Sequence, residues 1–181
     1  MTISDWKHIV APFTDETVAG LRAGEGVLIS GVLYTARDKA HARLCALIES
    51  GSPLPVDIRG QVIYYAGPAP APPNRCIGSV GPTTSGRMDK FSDVILAAGI
   101  TGMIGKGLRD ENTKGLIRRY GVPYLSAFGG AGAFYAKRIT SANIVAFEDL
   151  GPEAVYKLTV EDFPAAVVDD IYGGSLYEAN Q

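Results

Sequence analysis

Short apolar runs of strand length alternate with segments whose apolar residues recur at helical spacing, and this alternation strongly constrains the fold. Residues 26–34 are rich in β-branched side chains and predict a strand. Residues 39–50 predict a helix, with Asp38 as its N-cap and with Gly51 and Pro53 ending it. Alternating strands and helices favour a largely parallel sheet covered by helices.

The same pattern continues along the chain. Strands are predicted at 62–66, 102–104, 122–127, 139–147, 155–160 and 163–169, and further helices at about 88–98 and 110–120. We therefore expect a single α/β domain over residues 1–181, layered β/β/α. Its core should run from about residue 20 to 170, with a lead over 1–19 and a tail over 171–181.

Composition excludes several classes of protein. The chain has 181 residues, with 17 basic and 19 acidic side chains, and the net charge of -2 argues against nucleic-acid binding. Its 2 cysteines form no CxxC pair, so this chain alone is not expected to hold a zinc site or an iron–sulfur cluster. The start MTISDWKHIVAPF lacks the pattern of a signal peptide, and no apolar stretch approaches a membrane span. We expect a cytoplasmic protein.

Two glycine-rich loops fail the tests for nucleotide binding. In residues 99–107, GITGMIGKG, Ile100 stands where a phosphate loop needs glycine, and Gly107 where it needs a serine or threonine. Residues 130–135, GAGAFY, lack the third glycine of a dinucleotide fingerprint. A nucleotide ligand is therefore not favoured.

The segment GPTTSGRMD, residues 81–89, predicts an anion site. Pro82 precedes a predicted helix start, where hydroxyl groups from Thr83 and Thr84 meet backbone N–H groups that lack helical partners. Arg87 lies four residues after Thr83, on the same predicted face. The alternative is ordinary N-capping beside a solvated arginine.

Two more cations follow predicted strands. Arg37 ends the first strand–helix junction, and Lys106 lies between two glycines after another strand. Because the carboxyl ends of parallel strands meet at one edge of a sheet, Arg37, Arg87 and Lys106 should converge there. Such a cleft would bind a small dicarboxylate.

Three other groups have weaker signals. His41 could act as a base beside this cleft, or it could cap or pack the first helix. Cys45 lies on the apolar side of that helix and predicts a core residue, whereas Cys76 is expected to be exposed. Nothing in the pattern decides whether Arg75 reaches the site.

Several segments resemble the β-subunit of class I, iron–sulfur fumarase and the related tartrate dehydratase β-subunit. They are TARDKAHARL (35–44), GP (67–68), SVGPTTSGRMDKF (79–91), IGKG (104–107) and VEDFPAAVVDD (160–170). The resemblance implies a swivelling β/β/α domain in a hetero-oligomer with a separate α-subunit. That subunit would carry three cysteines and a [4Fe-4S] cluster, and this chain would contribute no metal ligand.

The resemblance also implies roles for individual residues. Arg37, Arg87 and Lys106 would hold the substrate carboxylates, and Thr83 would take the proton from the carbon next to the leaving hydroxyl. A threonine hydroxyl is a weak base, so this role requires a low-dielectric site or a neighbouring cation. Supporting positions would be Asp38, His41 and Thr84.

The choice of substrate depends on fewer residues. Ala36 and Gly86 resemble the fumarase pattern, whereas GMIGKG, residues 102–107, resembles the tartrate form equally well. We expect reversible hydration of fumarate to malate. The alternatives are a tartrate dehydratase β-subunit and a non-catalytic domain that binds a dicarboxylate.

Overall fold

A computed structural model describes residues 5–178. Its strands are β1 (Lys7–Ala11), β2 (Gly26–Thr35), β3 (Val62–Tyr64), β4 (Gly102–Gly105), β5 (Tyr124–Ser126), β6 (Ile139–Ala146) and β7 (Val155–Asp169). Its α-helices are α1 (Asp15–Ala19), α2 (Asp38–Glu49), α3 (Ser92–Ala97), α4 (Glu111–Tyr120) and α5 (Gly132–Ala136). Two 3₁₀-helices cover Ser85–Phe91 and Glu148–Glu153.

The strands form one mixed sheet in the order β1-β2-β3-β4-β5-β7-β6. Neighbours from β1 to β5 pair in parallel, and β7 runs antiparallel to β2, β5 and β6. Because β7 pairs with both β5 and β2, the strands β2, β3, β4, β5 and β7 close into a barrel-like ring. The predicted α/β class with a largely parallel sheet is confirmed, and the swivelling of the domain stays a prediction.

The last strand corrects the sequence prediction. β7 is a single strand of 15 residues rather than two separate strands. The predicted break coincides with an irregularity, where Asp162 has a positive φ of 47° and its N–H donates to the Ser30 hydroxyl. Pairing with β2 continues on both sides of this bulge, so the strand bends without ending.

The sequence analysis missed β1 and α1, which lie in the predicted lead. β1 pairs with β2 along its whole length. Gly31 permits this pairing, because a Cβ there would lie 2.1 Å from the Ala11 carbonyl oxygen. The lead therefore contributes a strand to the sheet.

Each central strand is buried on both faces, which explains its continuous apolar sequence. On β2, Leu33 packs into one core and Tyr34 into the other. In the same way, Tyr64 packs into the core that contains Leu33, and Tyr65 packs into the core that contains Tyr34. The second core is covered by α2, α3 and α4 through Leu44, Ile95, Leu96, Leu116 and Ile117.

The helix ends show which predicted caps form. α4 begins at Glu111, close to the predicted start at about 110. Asp110 caps it, a cap that was not predicted, by accepting from the Thr113 N–H, and the helix ends at the left-handed residue Gly121. The N-cap prediction for α2 is wrong, because Asp38 is the first helical residue. The Glu153 carboxylate accepts instead from the Lys39 N–H at 3.0 Å.

Within residues 5–178, no helix is both long enough and apolar enough to cross a membrane.

Candidate active site

The carboxyl ends of the parallel strands β2 to β5 meet at one edge, as predicted. Thr83 lies on this edge, where its N–H donates to the Tyr65 carbonyl at 2.6 Å. Its own carbonyl accepts from the Lys106 N–H at 3.2 Å. The Ser85 N–H donates to the Lys106 carbonyl at 2.8 Å. The structure therefore brings Thr83 and Lys106 together through the backbone.

The local structure of residues 81–89 differs from the prediction. A 3₁₀-helix begins at Ser85, and no side chain caps it. The N–H groups of Thr83 and Ser85 both donate to backbone carbonyls, so they do not offer free donors to an anion. These two N–H groups therefore cannot serve the predicted anion site.

One half of this segment is buried. Ser85 and Met88 are completely enclosed. The Ser85 hydroxyl lies 2.8 Å from the Tyr124 hydroxyl, which also donates to the Gly107 carbonyl at 2.8 Å. Gly105 leaves room for this contact, because a Cβ there would be 2.0 Å from the Ser85 Oγ. The inward side chains therefore fix the segment on the sheet.

Asp89 completes the buried half by pairing with Arg109, whose side chain has no solvent exposure. The Arg109 Nε donates to Asp89 at 2.5 Å, and its Nη2 donates to the Ser92 hydroxyl at 2.8 Å. The second Asp89 oxygen accepts from the Asp110 N–H at 2.9 Å. Burial opposes the charge of Arg109, but Tyr65 and Asp89 outweigh it and raise the pKa of Arg109. The sequence analysis missed Arg109.

Tyr65 connects these parts of the edge. Its backbone carbonyl holds Thr83, and its hydroxyl accepts from the Arg109 Nη1 at 3.3 Å. Its ring meets the His41 ring edge-on, with 5.3 Å between ring centroids. Tyr65 is itself 1% exposed. Tyr65 thus contacts Thr83, Arg109 and His41.

His41 is a packing residue that holds the Arg37 loop. It is 1% exposed, and its Nδ1 lies 3.0 Å from the Arg37 carbonyl oxygen. A carbonyl only accepts, so Nδ1 carries the proton. Burial lowers the pKa of His41 to about 4, and the Arg109 charge adds to this while the Arg37 hydrogen bond opposes it. His41 is therefore neutral and enclosed, unlike a base that meets substrate.

Arg37 lies half-buried beside the connector that follows β3. A Cβ on Gly67 would be 3.0 Å from both the Cδ and the Nη1 of Arg37, so the side chain lies close against this glycine. Its Nη2 is 3.9 Å from a Glu153 oxygen. Its buried Nε has no hydrogen-bond partner among the described residues. The Arg37 guanidinium is therefore only partly satisfied by its neighbours.

Arg87 is exposed and pairs with Asp38. The Nε–Oδ1 distance is 3.0 Å and the Nη2–Oδ2 distance is 2.8 Å. The two side chains are 52% and 25% exposed. They line an open groove of about 620 Å³ together with Asp89, Asp93 and Asp110. The pair links the loop that carries Arg37 to the segment that carries Thr83.

The remaining predicted residues have simple placements. Lys106 is half-buried and runs past Gly129, where a Cβ would lie 3.5 Å from its Cδ. Thr84 is exposed and forms a parallel bridge with Lys106. Arg75 is exposed and lies next to Cys76, whose Sγ is 3.4 Å from the Ile139 carbonyl oxygen.

The cysteines do not fit an iron–sulfur cluster. Cys45 is buried, and burial raises the pKa of its thiol to about 11. Cys76 is exposed and lies beside the start of β6. Across residues 5–178, no group of three or more histidine, cysteine or acidic side chains could hold a metal ion. A cluster would need ligands from elsewhere.

The sequence of this chain is similar to those of known proteins. The family model described as the fumarase C-terminus matches residues 6–180. Fumarate hydratase 2 of Leishmania major is 42% identical over 158 residues, which cover 85% of this chain and 28% of that protein. The anaerobic class I fumarate hydratase of Escherichia coli (strain K12) is 40% identical over 152 residues, or 83% of this chain and 28% of that protein.

A third relative is similar in length to this chain. The putative L(+)-tartrate dehydratase subunit beta of Methanocaldococcus jannaschii is 38% identical over 172 residues, which cover 91% of this chain and 88% of that protein. The chain thus spans 28% of the two fumarate hydratases and most of the tartrate dehydratase subunit.

Proposed function

This chain belongs to the fumarase C-terminus family, and from that premise we propose that it is the β-subunit of a two-component hydro-lyase that hydrates fumarate to malate reversibly. The carrying observation is the meeting of the Arg37, Thr83 and Lys106 loops at one edge of the parallel strands. Arg87 adjoins them through its pair with Asp38. Two arginines and a lysine suit a substrate with two carboxylates.

The proposed binding step uses the cations. Arg37 keeps a buried Nε without a partner among residues 5–178, and Arg87 holds only an exposed pair with Asp38. Arg87 can exchange Asp38 for a substrate carboxylate at little cost, because an exposed ion pair contributes little stability. The Lys106 backbone bonds to that of Thr83, and its side chain, which lies by Gly129, adds a third positive charge to this edge.

The proposed proton transfer uses Thr83. In the dehydration direction its hydroxyl oxygen accepts the proton from the carbon next to the one that loses hydroxide, and in hydration it returns a proton there. Thr83 is half-buried, and its backbone carbonyl accepts from the Lys106 N–H. This role requires the Lys106 ammonium to turn toward the Thr83 hydroxyl when substrate binds, because a nearby positive charge favours the deprotonated hydroxyl.

We propose that a separate α-subunit completes the site and holds a [4Fe-4S] cluster through three cysteines. A partner is supported by the tartrate dehydratase relative of similar length, which is named a subunit beta. The name of that relative also supports tartrate as the second candidate substrate.

The test is reconstitution with the partner. The chain should be co-expressed under anoxia with a neighbouring reading frame that encodes a three-cysteine protein, and the complex assayed with fumarate and with tartrate. Fumarate hydration by the complex but not by this chain alone supports the proposal. Activity of the chain alone refutes the two-component arrangement, and turnover of tartrate alone favours the second substrate.

Substitution of Thr83 tests its proposed role as the proton acceptor. Thr83→Ala should lower kcat of the complex by about 10² to 10⁴ while KM changes little, because a proton acceptor acts mainly in the transition state. Thr140→Ala is the matched control, since Thr140 is exposed on β6. Near-normal kcat in Thr83→Ala would remove Thr83 from the mechanism.

A further inference from the structure

A small cavity lies at the opposite edge of the sheet from the candidate active site. Asp169, the last residue of β7, pairs with Tyr124, the first residue of β5, so it lies at the amino ends of the parallel strands. The cavity has a volume of about 50 Å³ and is enclosed by the end of β7, by α4 and by the turn over residues 170–178. It contains none of the residues assigned to the proposed hydro-lyase.

Two polar side chains in this cavity are buried without partners. Asp169 is 4% exposed, and neither of its carboxylate oxygens has a hydrogen-bond partner among the described residues. Ser175, its β-bridge neighbour, is 8% exposed, and its hydroxyl is also unpartnered there. Burial raises the pKa of Asp169, and the neighbouring Ser175 hydroxyl and the Lys114 and Arg109 charges oppose this rise. A buried carboxylate is costly unless something neutralises or solvates it.

Most of the other charged groups of the cavity already have partners. Asp170 accepts from the N–H groups of Ala23, Tyr172 and Gly174 at 3.0, 2.9 and 2.8 Å. The Lys114 ammonium is shared between Glu111 and Glu178. Arg118 lines the cavity, but among the described residues it forms no ion pair with Asp169.

We propose that this cavity binds a small monovalent cation, Na⁺ or K⁺, through the Asp169 carboxylate and the Ser175 hydroxyl. Carboxylate and hydroxyl oxygens are hard ligands that suit such ions. The Asp169 carboxylate has no hydrogen-bond partner among the described residues and favours one small positive charge. The other acidic residues of the cavity are engaged elsewhere, and within residues 5–178 no group of three histidine, cysteine or acidic side chains could hold a metal ion, which argues against a divalent ion. The volume fits one ion or a single water.

A bound cation would tie three elements together. Asp169 ends β7, Ser175 lies in the following turn, and the α4 residue Lys114 borders the same cavity. Since the ion would bind the folded chain and not the unfolded one, it should raise the unfolding temperature. This effect requires no partner chain and no substrate, so it is independent of the proposed hydro-lyase.

The test is thermal unfolding of the full chain in NaCl, KCl and tetramethylammonium chloride at equal ionic strength. Tetramethylammonium is too large for the cavity. Na⁺ or K⁺ should raise the midpoint by about 2–4 °C over tetramethylammonium, which corresponds to binding that is appreciable at the salt concentration used. Asp169→Asn should abolish the difference, and the exposed control Glu148→Gln should keep it. If Asp169→Asn does not fold, Ser175→Ala should reduce the difference.

A crystal soaked in Rb⁺ or Tl⁺ tests cation binding in the cavity directly. The proposal expects an anomalous peak in the cavity within coordination distance of the Asp169 carboxylate. Equal unfolding midpoints in the three salts, or a cavity that holds only water and gives no anomalous peak, would overturn it.

Discussion

Two arginine–aspartate pairs share the segment GPTTSGRMD, and they differ mainly in burial. Asp89 pairs with Arg109, and the two side chains are 9% and 0% exposed. Arg87, two residues before Asp89, pairs with Asp38, and these side chains are 52% and 25% exposed. The first pair is locked between α3, α4 and the sheet, whereas the second faces an open groove.

This difference in burial distinguishes a pair that stabilises the fold from a pair that is available to bind a ligand. Breaking a buried pair leaves an uncompensated charge and costs about 3–5 kcal/mol, whereas an exposed pair contributes about 0–1 kcal/mol. A side chain in the second situation can exchange its partner for a substrate carboxylate at little cost. On the proposed function, burial therefore gives neighbouring residues of one motif different roles.

Asp89→Ala should have the largest effect on stability. It leaves Arg109 buried without its carboxylate, so the free energy of unfolding should fall by about 3–5 kcal/mol in a denaturant titration. Asp38→Ala is the matched control at the exposed pair and should cost no more than about 1 kcal/mol. Equal losses in the two variants would contradict the distinction between the pairs.

The pH dependence tests the buried support of Arg37. Burial lowers the pKa of His41 from 6.5 to about 4, so between these values the unfolded chain binds more protons than the folded one. Stability should therefore fall as pH drops from about 6.5 to about 4, with a His41 contribution of about 3 kcal/mol. His41→Gln should show a shallower loss over this range. Identical pH slopes would argue that His41 remains accessible to protons.

Gly105→Ala tests the packing under the same segment. The added Cβ would lie 2.0 Å from the Ser85 Oγ and 2.8 Å from the Tyr65 Cδ2, so unfolding free energy should fall by about 1–3 kcal/mol. Gly115→Ala in α4 is the control, since its nearest neighbour would be 3.9 Å away. That change should stabilise the chain by up to about 1 kcal/mol. A tolerated Gly105→Ala would show that Ser85 can move without cost.

Arg87→Ala should have the smallest effect on stability. Its ion pair is exposed and its side chain is not part of either core, so unfolding free energy should change by less than about 1 kcal/mol. A loss comparable to that of Asp89→Ala would place Arg87 among the residues that hold the fold.

The edge that gathers the candidate residues was predictable from local patterns. Strand runs followed by Arg37 and Lys106 need only the rule that parallel strands align their carboxyl ends. The cap of α4 at Asp110 was equally local, because its partner is the Thr113 N–H three residues away. Patterns of this kind depend on neighbours in the sequence.

The missed features depend on distant residues. Glu153 caps α2 from 114 positions beyond Lys39, so the sequence favoured Asp38 instead. Arg109 follows a glycine-rich loop and looks like a surface arginine until Asp89, 20 positions earlier, is placed beside it. The Asp-Asp sequence at 169–170 likewise gives no sign that one carboxylate is satisfied and the other is not.

The most direct test of the division within GPTTSGRMD is the activity of Arg87→Ala in the proposed two-component complex. The account predicts that kcat/KM for fumarate falls by about 10- to 100-fold, which corresponds to the loss of a charged hydrogen bond worth about 1.5–3 kcal/mol. The unfolding free energy should meanwhile stay within about 1 kcal/mol of the unmodified chain. Unchanged kcat/KM in a complex that assembles normally would contradict the claim that the exposed arginine meets the substrate.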